Sequence, residues 1–245
     1  MLSESPIPLE GDVLARRIYA PQAYRLVREI QIVPIVHTEA LKLSTWFPIA
    51  WRMAAHGPEL VVLRALLADS RALPPPARGL LPLLLAAYPF VFDPDTLPGP
   101  DCRWMFDNVF ADEPTDIGAP IITIERKPAL ATRLRLDALE TFSVEFAVTR
   151  DIGLALADAG LLEPWSLSFD VEGRRIEVAG LHIAHQSGFE TGRYAPILAR
   201  HGFAAAQLLG LHRLSLFRAG LLLTMAKATL AADRGPQLIA QVRVP

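Results

Sequence analysis

Residues 203–232 are apolar on nearly every side of a helix, and any fold for this chain has to find a place for them. The segment is long enough to cross a bilayer, which takes about 20 apolar residues. Gln207, His212, Arg213, Arg218 and Lys227 interrupt it, and a charge at the bilayer centre costs several kcal/mol. It therefore reads as the core helix of a soluble protein, central to the core or packed on a partner, with no membrane span. Ala204, Ala205, Ala206, Gly210 and Gly220 keep it slim enough for close backbone approach. A shorter helix over 193–200 should precede it and stop at Gly202. The other apolar run, 80–92, is short and broken by Pro82 and Pro89, and reads as a buried segment.

The rest of the chain is mixed. Residues 1–23 hold Pro6, Pro8 and Pro21 without a sustained period and read as an arm lying over the domain. Alternation of Leu26, Ile30 and Ile32 with Arg25, Glu29 and Gln31 predicts a half-buried strand from Tyr24 to Pro34. Thr38 can cap a short helix over 39–43. A strand is expected over 59–67, where the leucines also suit a helix, and a helix over 77–88, after the run Pro74-Pro75-Pro76. Short strands follow at 102–106 and 121–125. A long helix then runs from near Pro128 to Ala159, with Leu139, Phe142 and Phe146 on its buried stripe and Gly160 as its stop. A hairpin is expected next, with Trp165, Leu167, Phe169 and Val171 facing inward and Gly173 turning the chain toward Ile176 and Val178. The switch of apolar parity to Leu181 and Ile183 puts a bulge or kink at Gly180. An edge strand or a terminal clasp is expected over 238–244. The fold class is α+β: a single domain over 24–245 with short antiparallel strands or hairpins and a largely helical C-terminal third.

Composition excludes several functions. With 51% hydrophobic residues the chain can offset its ordering entropy, and a net charge of −2 gives no general attraction to nucleic acid. Cys102 has no disulfide partner within the chain. The acidic, proline-broken N-terminus lacks the form of a secretory signal, so a cytoplasmic location is expected.

His182 and His185 form an HxxH pair. On a strand that spacing puts them on opposite faces, His185 with Leu181 and Ile183, and no third ligand stands at useful spacing, so no metal site is expected. His201 suits a helix C-terminus. His212 beside Arg213 is a candidate for a polar contact at an interface or pocket, against a plain core role. Cys102 beside Asp101 reads as a structural thiol. Asp107, Asp112, Glu113 and Asp116 read as solvated loop acids. Trp46, Phe47, Trp51, Tyr88, Phe90 and Phe92 could line a pocket or partner groove but read first as core. No dinucleotide, phosphate-loop, nucleophile-elbow or zinc-protease motif occurs, and no cofactor is expected.

Five stretches carry a family likeness. They are Val33-Pro34-Ile35 with Glu39 and Trp46-Phe47-Pro48-Ile49; Leu60-Val61-Val62-Leu63; Tyr88-Pro89-Phe90-Val91-Phe92; Gly160-Leu161-Leu162-Glu163-Pro164 with Gly180-Leu181-His182-Ile183; and His201-Gly202-Phe203 with Leu214-Ser215-Leu216. In this order they resemble the bacterial SapC family over roughly residues 30–220. The chain departs from that family's Gly- and Asn-containing turn, carrying an Ala/Leu/Pro stretch over 64–78. The resemblance brings no catalytic residues. It implies an accessory or partner role, because SapC-like proteins look like frequent genomic neighbours of flavin-dependent tryptophan-halogenase-like oxidoreductases, cupin-like proteins and outer-membrane receptors. The first expectation is a non-catalytic cytoplasmic accessory protein that docks on a partner enzyme or on its own copy, with His212, Arg213, His185 and Trp46 as ligand or interface candidates. Two alternatives stand beside it: an enzyme acting on a small molecule or peptide in a polar pocket near His212 and Arg213, and a structural protein of a surface layer.

Overall fold

The computed structural model describes residues 2–68, 80–171 and 173–241. Its elements begin with β1 (Pro6–Pro8), β2 (Arg17–Ile18), α1 (Arg25–Glu29), β3 (Ile32–Pro34), α2 (Ala40–Leu43), β4 (Ile49–Ala54), β5 (Gly57–Leu63), α3 (Leu83–Ala87), β6 (Phe90–Phe92) and β7 (Trp104–Asp107). They continue with β8 (Ala119–Pro120), α4 (Leu130–Asp158), β9 (Leu162–Pro164), β10 (Leu167–Val171), β11 (Arg174–Val178), β12 (Leu181–Ala184), α5 (Ser187–Glu190), α6 (Ala195–Ser215) and α7 (Ala219–Gln241).

Strand alternation builds a central antiparallel sheet of five strands, ordered β3-β5-β4-β12-β9. Ile49, Trp51, Leu60 and Val62 point to one face, where Ile152 and Leu156 of α4 and Leu208 and Leu209 of α6 cover them. Ala50, Val61, Leu63 and Leu181 point to the other, where the β10–β11 hairpin and Leu222, Ala226 and Leu230 of α7 close a second core. A third core joins β6, β7 and the start of α4 through Phe90, Phe92, Phe106, Leu139 and Phe142. The class is α+β.

The long helix, its Gly160 stop at φ 60° and the hairpin with Gly173 at φ 78° form where the sequence puts them. At Gly180, φ 77°, the chain does more than bulge: it leaves the hairpin and enters the central sheet as β12. The strand expected over 24–34 is instead helix α1 followed by β3. Tyr24 and Val27, three apart, are both buried, so this short stretch fits the helical period as well as alternation. Residues 121–125 form a turn carrying one isolated bridge, Ile122 to Pro128, and the adjacent strand is β8, paired with β2. The helix expected over 77–88 is confined to α3, because Pro82 is extended at its N-cap; residues 77–79 lie outside the described residues. Helix α7 continues through Gln241 in place of the terminal strand, and 242–245 are likewise outside.

The N-terminal arm is sewn into the body. β1 pairs with β7, and the wholly buried Asp107 takes hydrogen bonds from the Glu4 and Ser5 N–H groups and from Tyr88 Oη–H at 2.6 Å. Asp107 is therefore no solvated loop acid. Asp112 and Glu113 pair with Arg28, and Asp116 caps its own turn by accepting from the Gly118 N–H.

Candidate functional site

The pairing of β12 with β4 sets Leu181 opposite Arg52 and His182 opposite Trp51. Continuing that register would bring Ala184 opposite Ile49. At this rung the strands part and α6 supplies the missing partners. The Ala184 N–H donates to His212 Nε2 at 3.1 Å, and His212 Nδ1–H donates to the Ile49 carbonyl at 2.8 Å. These partners assign the tautomer, since a carbonyl only accepts and an amide N–H only donates. Ser215 Oγ accepts from the Ile49 N–H at 2.8 Å and donates to the His212 carbonyl at 2.7 Å. Arg213 reaches the Ala184 carbonyl at 3.4 Å and Gln186 Oε1 at 3.1 Å. All four main-chain groups of the open rung are thus satisfied by one turn of helix.

His212 is fully buried, edge-on to the Trp51 ring at 4.7 Å, and desolvation pushes its pKa down to about 4. With both ring nitrogens committed, the imidazole is a neutral latch between helix and sheet. His185, which the alternation groups with Leu181 on the apolar side, is not buried with it. It lies just beyond the end of β12, half-exposed, with Nδ1 held by Ser187 and Nε2 3.4 Å from Glu163. His182 turns its Nδ1 inward, where that atom has no hydrogen-bond partner. Trp46 packs half-buried on the main core. Among the described residues no three His, Cys, Asp or Glu side chains gather as metal ligands.

The sequence did not reveal how little of the C-terminal rod is covered. Residues 195–232 are long and apolar enough to cross a membrane by length and composition, yet only 22% of the most apolar stretch is buried. Gly202, at φ 57° and ψ −135°, kinks the rod, and a 3-10 turn over Leu216–Arg218 joins α6 to α7. The inner edge carries Ala205, Leu208, Leu209, His212, Ser215, Leu222, Ala226 and Leu230. The outer edge leaves Phe203 77%, Leu214 66%, Phe217 84% and Leu221 38% exposed. Positions 210, 214, 217, 221, 224, 228 and 231 are all exposed and alternate in steps of four and three, the spacing of a helix–helix seam. From 191 to 232 the charged residues are Arg193, Arg200, Arg213, Arg218 and Lys227, with no Asp or Glu; every one of the chain's 26 acids lies elsewhere.

Cavities are also present among the described residues, three of them relevant to a site. One of ≈170 Å³ lies between the tip of the β4–β5 hairpin, α4 and the loop after β6, lined by Phe90, Phe92, Leu139, Phe142 and Phe146. Two more open cavities flank Tyr24 beneath the exposed Phe110. None of the three is lined by His212 or Arg213.

No curated protein and no solved structure matches this chain. The SapC family model matches residues 15–216, from the N-terminal arm to the turn that precedes α7, and the chain belongs to the SapC family.

Proposed function

We propose that this protein is a non-catalytic accessory protein that docks, through the exposed seam of α6 and α7, onto an acidic helix of a partner protein. The observation that carries the reading is the outer edge of the rod, where Leu214, Phe217 and Leu221 stand in water at helix-pairing spacing. Exposed apolar side chains gathered in a line are a cost that only a partner relieves. The three-four spacing of Leu214, Phe217 and Leu221 favours a helix as that partner. The absence of acids along the rod favours an acidic partner over a second copy, whose own rod would bring Arg213 and Arg218 against their like. Crossing a membrane would require pulling His212, Arg213 and Ser215 off the sheet and leaving Ile49 and Ala184 unpaired.

The test places a photo-crosslinking amino acid at position 217 of the full chain in its native host, with a second probe at the exposed position 130 on α4 as control. The reading expects a product at 217, absent at 130, whose crosslinked peptide is an acidic helical segment of another protein. Crosslinks from 217 to this same chain, or to lipid together with flotation on anionic vesicles, would overturn it.

A further inference from the structure

We propose that the cavity between the β4–β5 hairpin and α4 is a binding site for a primary amine carried on a phenyl-sized apolar group. Its volume of ≈170 Å³ is close to that of apolar cavities that stay dry and take up benzene, about 150 Å³. The inner wall is built from phenyl rings already set against one another, Phe92 on Phe142 at 5.8 Å and Phe142 on Phe146 at 6.0 Å. A further flat ring extends that arrangement, gaining edge and face contacts the empty space forfeits.

The mouth supplies the polar end. The polar lining is His56, Glu59, Asp95 and Thr96, of which Asp95 and Thr96 are exposed, and no Lys or Arg is among the lining residues. Glu59 is engaged by Arg52 at 2.5 Å, which leaves Asp95 as the carboxylate that faces an incoming head group. A cation there is attracted by Asp95 and by the nearby rings, whereas an anion is repelled by Asp95. The loop that carries Asp95 is pre-set. Pro94 and Pro98 bracket it, the Asp93 N–H is anchored on the Arg103 carbonyl at 3.0 Å, and the Asp95 N–H is turned back onto Asp93 Oδ1 at 3.0 Å. Little ordering cost then falls on binding. This site is remote in kind from the seam of α6 and α7, and neither reading rests on the other.

Calorimetric titration of the full chain at neutral pH with phenethylamine, 2-phenylethanol and phenylacetate tests it, since the three share a ring and differ in charge. The amine should bind roughly two- to fivefold tighter than the alcohol, and phenylacetate weaker than both. Asp95→Asn should bring the amine to the level of the alcohol and leave the alcohol unchanged. Leu97→Trp, at an exposed loop position on the rim, should leave the melting temperature in place and abolish binding of all three. Failure of all three to bind, an amine no tighter than the alcohol, or binding that survives Leu97→Trp would each overturn the assignment.

Discussion

Glu39 sits wholly inside the protein, its carboxylate taking the Val36 N–H at 3.0 Å and the Leu83 N–H at 2.7 Å, so that it ties the turn before α2 to the start of α3. Desolvation outweighs those two donors and raises its pKa from 4.5 to about 7, while the same cause lowers that of His212 from 6.5 to about 4. The two act on stability with opposite sign. Glu39 binds its proton more tightly when folded, so its contribution is full below pH 4.5 and is lost as pH rises through about 7. His212 holds its proton less tightly when folded, so its contribution is full above pH 6.5 and is lost as pH falls toward about 4. Each is worth about 3 kcal/mol at its limit, and they nearly cancel over the shared window. Urea unfolding at stepped pH should therefore find the native chain almost level from these two groups. His212→Gln should gain stability on acidification from pH 7 to 4.5, and Glu39→Gln should lose it from pH 6.5 to 4. Parallel slopes in the two variants would show that burial does not control these groups. From the sequence, Glu39 was visible only as part of a family stretch, and His212 as a polar residue in an apolar helix. Beside the local Val36 N–H, the partners that bury them, Leu83 and Ile49, stand 44 and 163 residues away, beyond the reach of any local pattern.

Among the elements, those with long or repeated periods could be read from sequence, and those decided by a distant partner could not. Helix α4 repeats its buried stripe over many turns, and the β10–β11 hairpin alternates on both sides of a glycine, so both declare themselves. Helix α1 is five residues long and lost to the competing strand pattern, while β4 gave no alternating signal because Ile49, Ala50 and Trp51 are buried on both faces. The kink at Gly202 was foreseen, and its geometry yields a prediction. Its φ and ψ lie where only glycine is at ease, although a Cβ there would meet nothing within 4 Å. Gly202→Ala should thus destabilise by about 1–3 kcal/mol from backbone strain alone. Gly210→Ala, equally free of neighbours but inside regular helix, should stabilise by about 0.5–1 kcal/mol. Thermal unfolding of the pair separates the two effects; a gain at both positions would mean that the rod does not need its bend.

At the scale of the whole molecule, charge and apolar surface are divided between rod and body. Of the 24 basic residues five lie in 191–232, so the rest of the chain holds 19 against all 26 acids, and 191–232 is a cationic stretch of a mildly acidic protein. The sequence showed that the rod is apolar nearly all round but not which edge would be covered, because covering depends on a sheet assembled from 49–63 and 162–184. Only the inner edge meets that sheet, and the two edges should respond differently to mutation. Leu222 is buried against the hairpin, and Leu222→Ala should cost about 2–4 kcal/mol in chemical denaturation. The pair Leu214→Ser and Phe217→Ser removes more apolar surface, yet from exposed positions, and should move stability by no more than about 0.5 kcal/mol for each change. The same double variant should lose the crosslinked partner, and raised salt should weaken the native pairing, since Arg218 and Lys227 flank the seam and are screened. A double variant that unfolds as readily as Leu222→Ala would place the outer edge within the core and remove the surface on which docking depends.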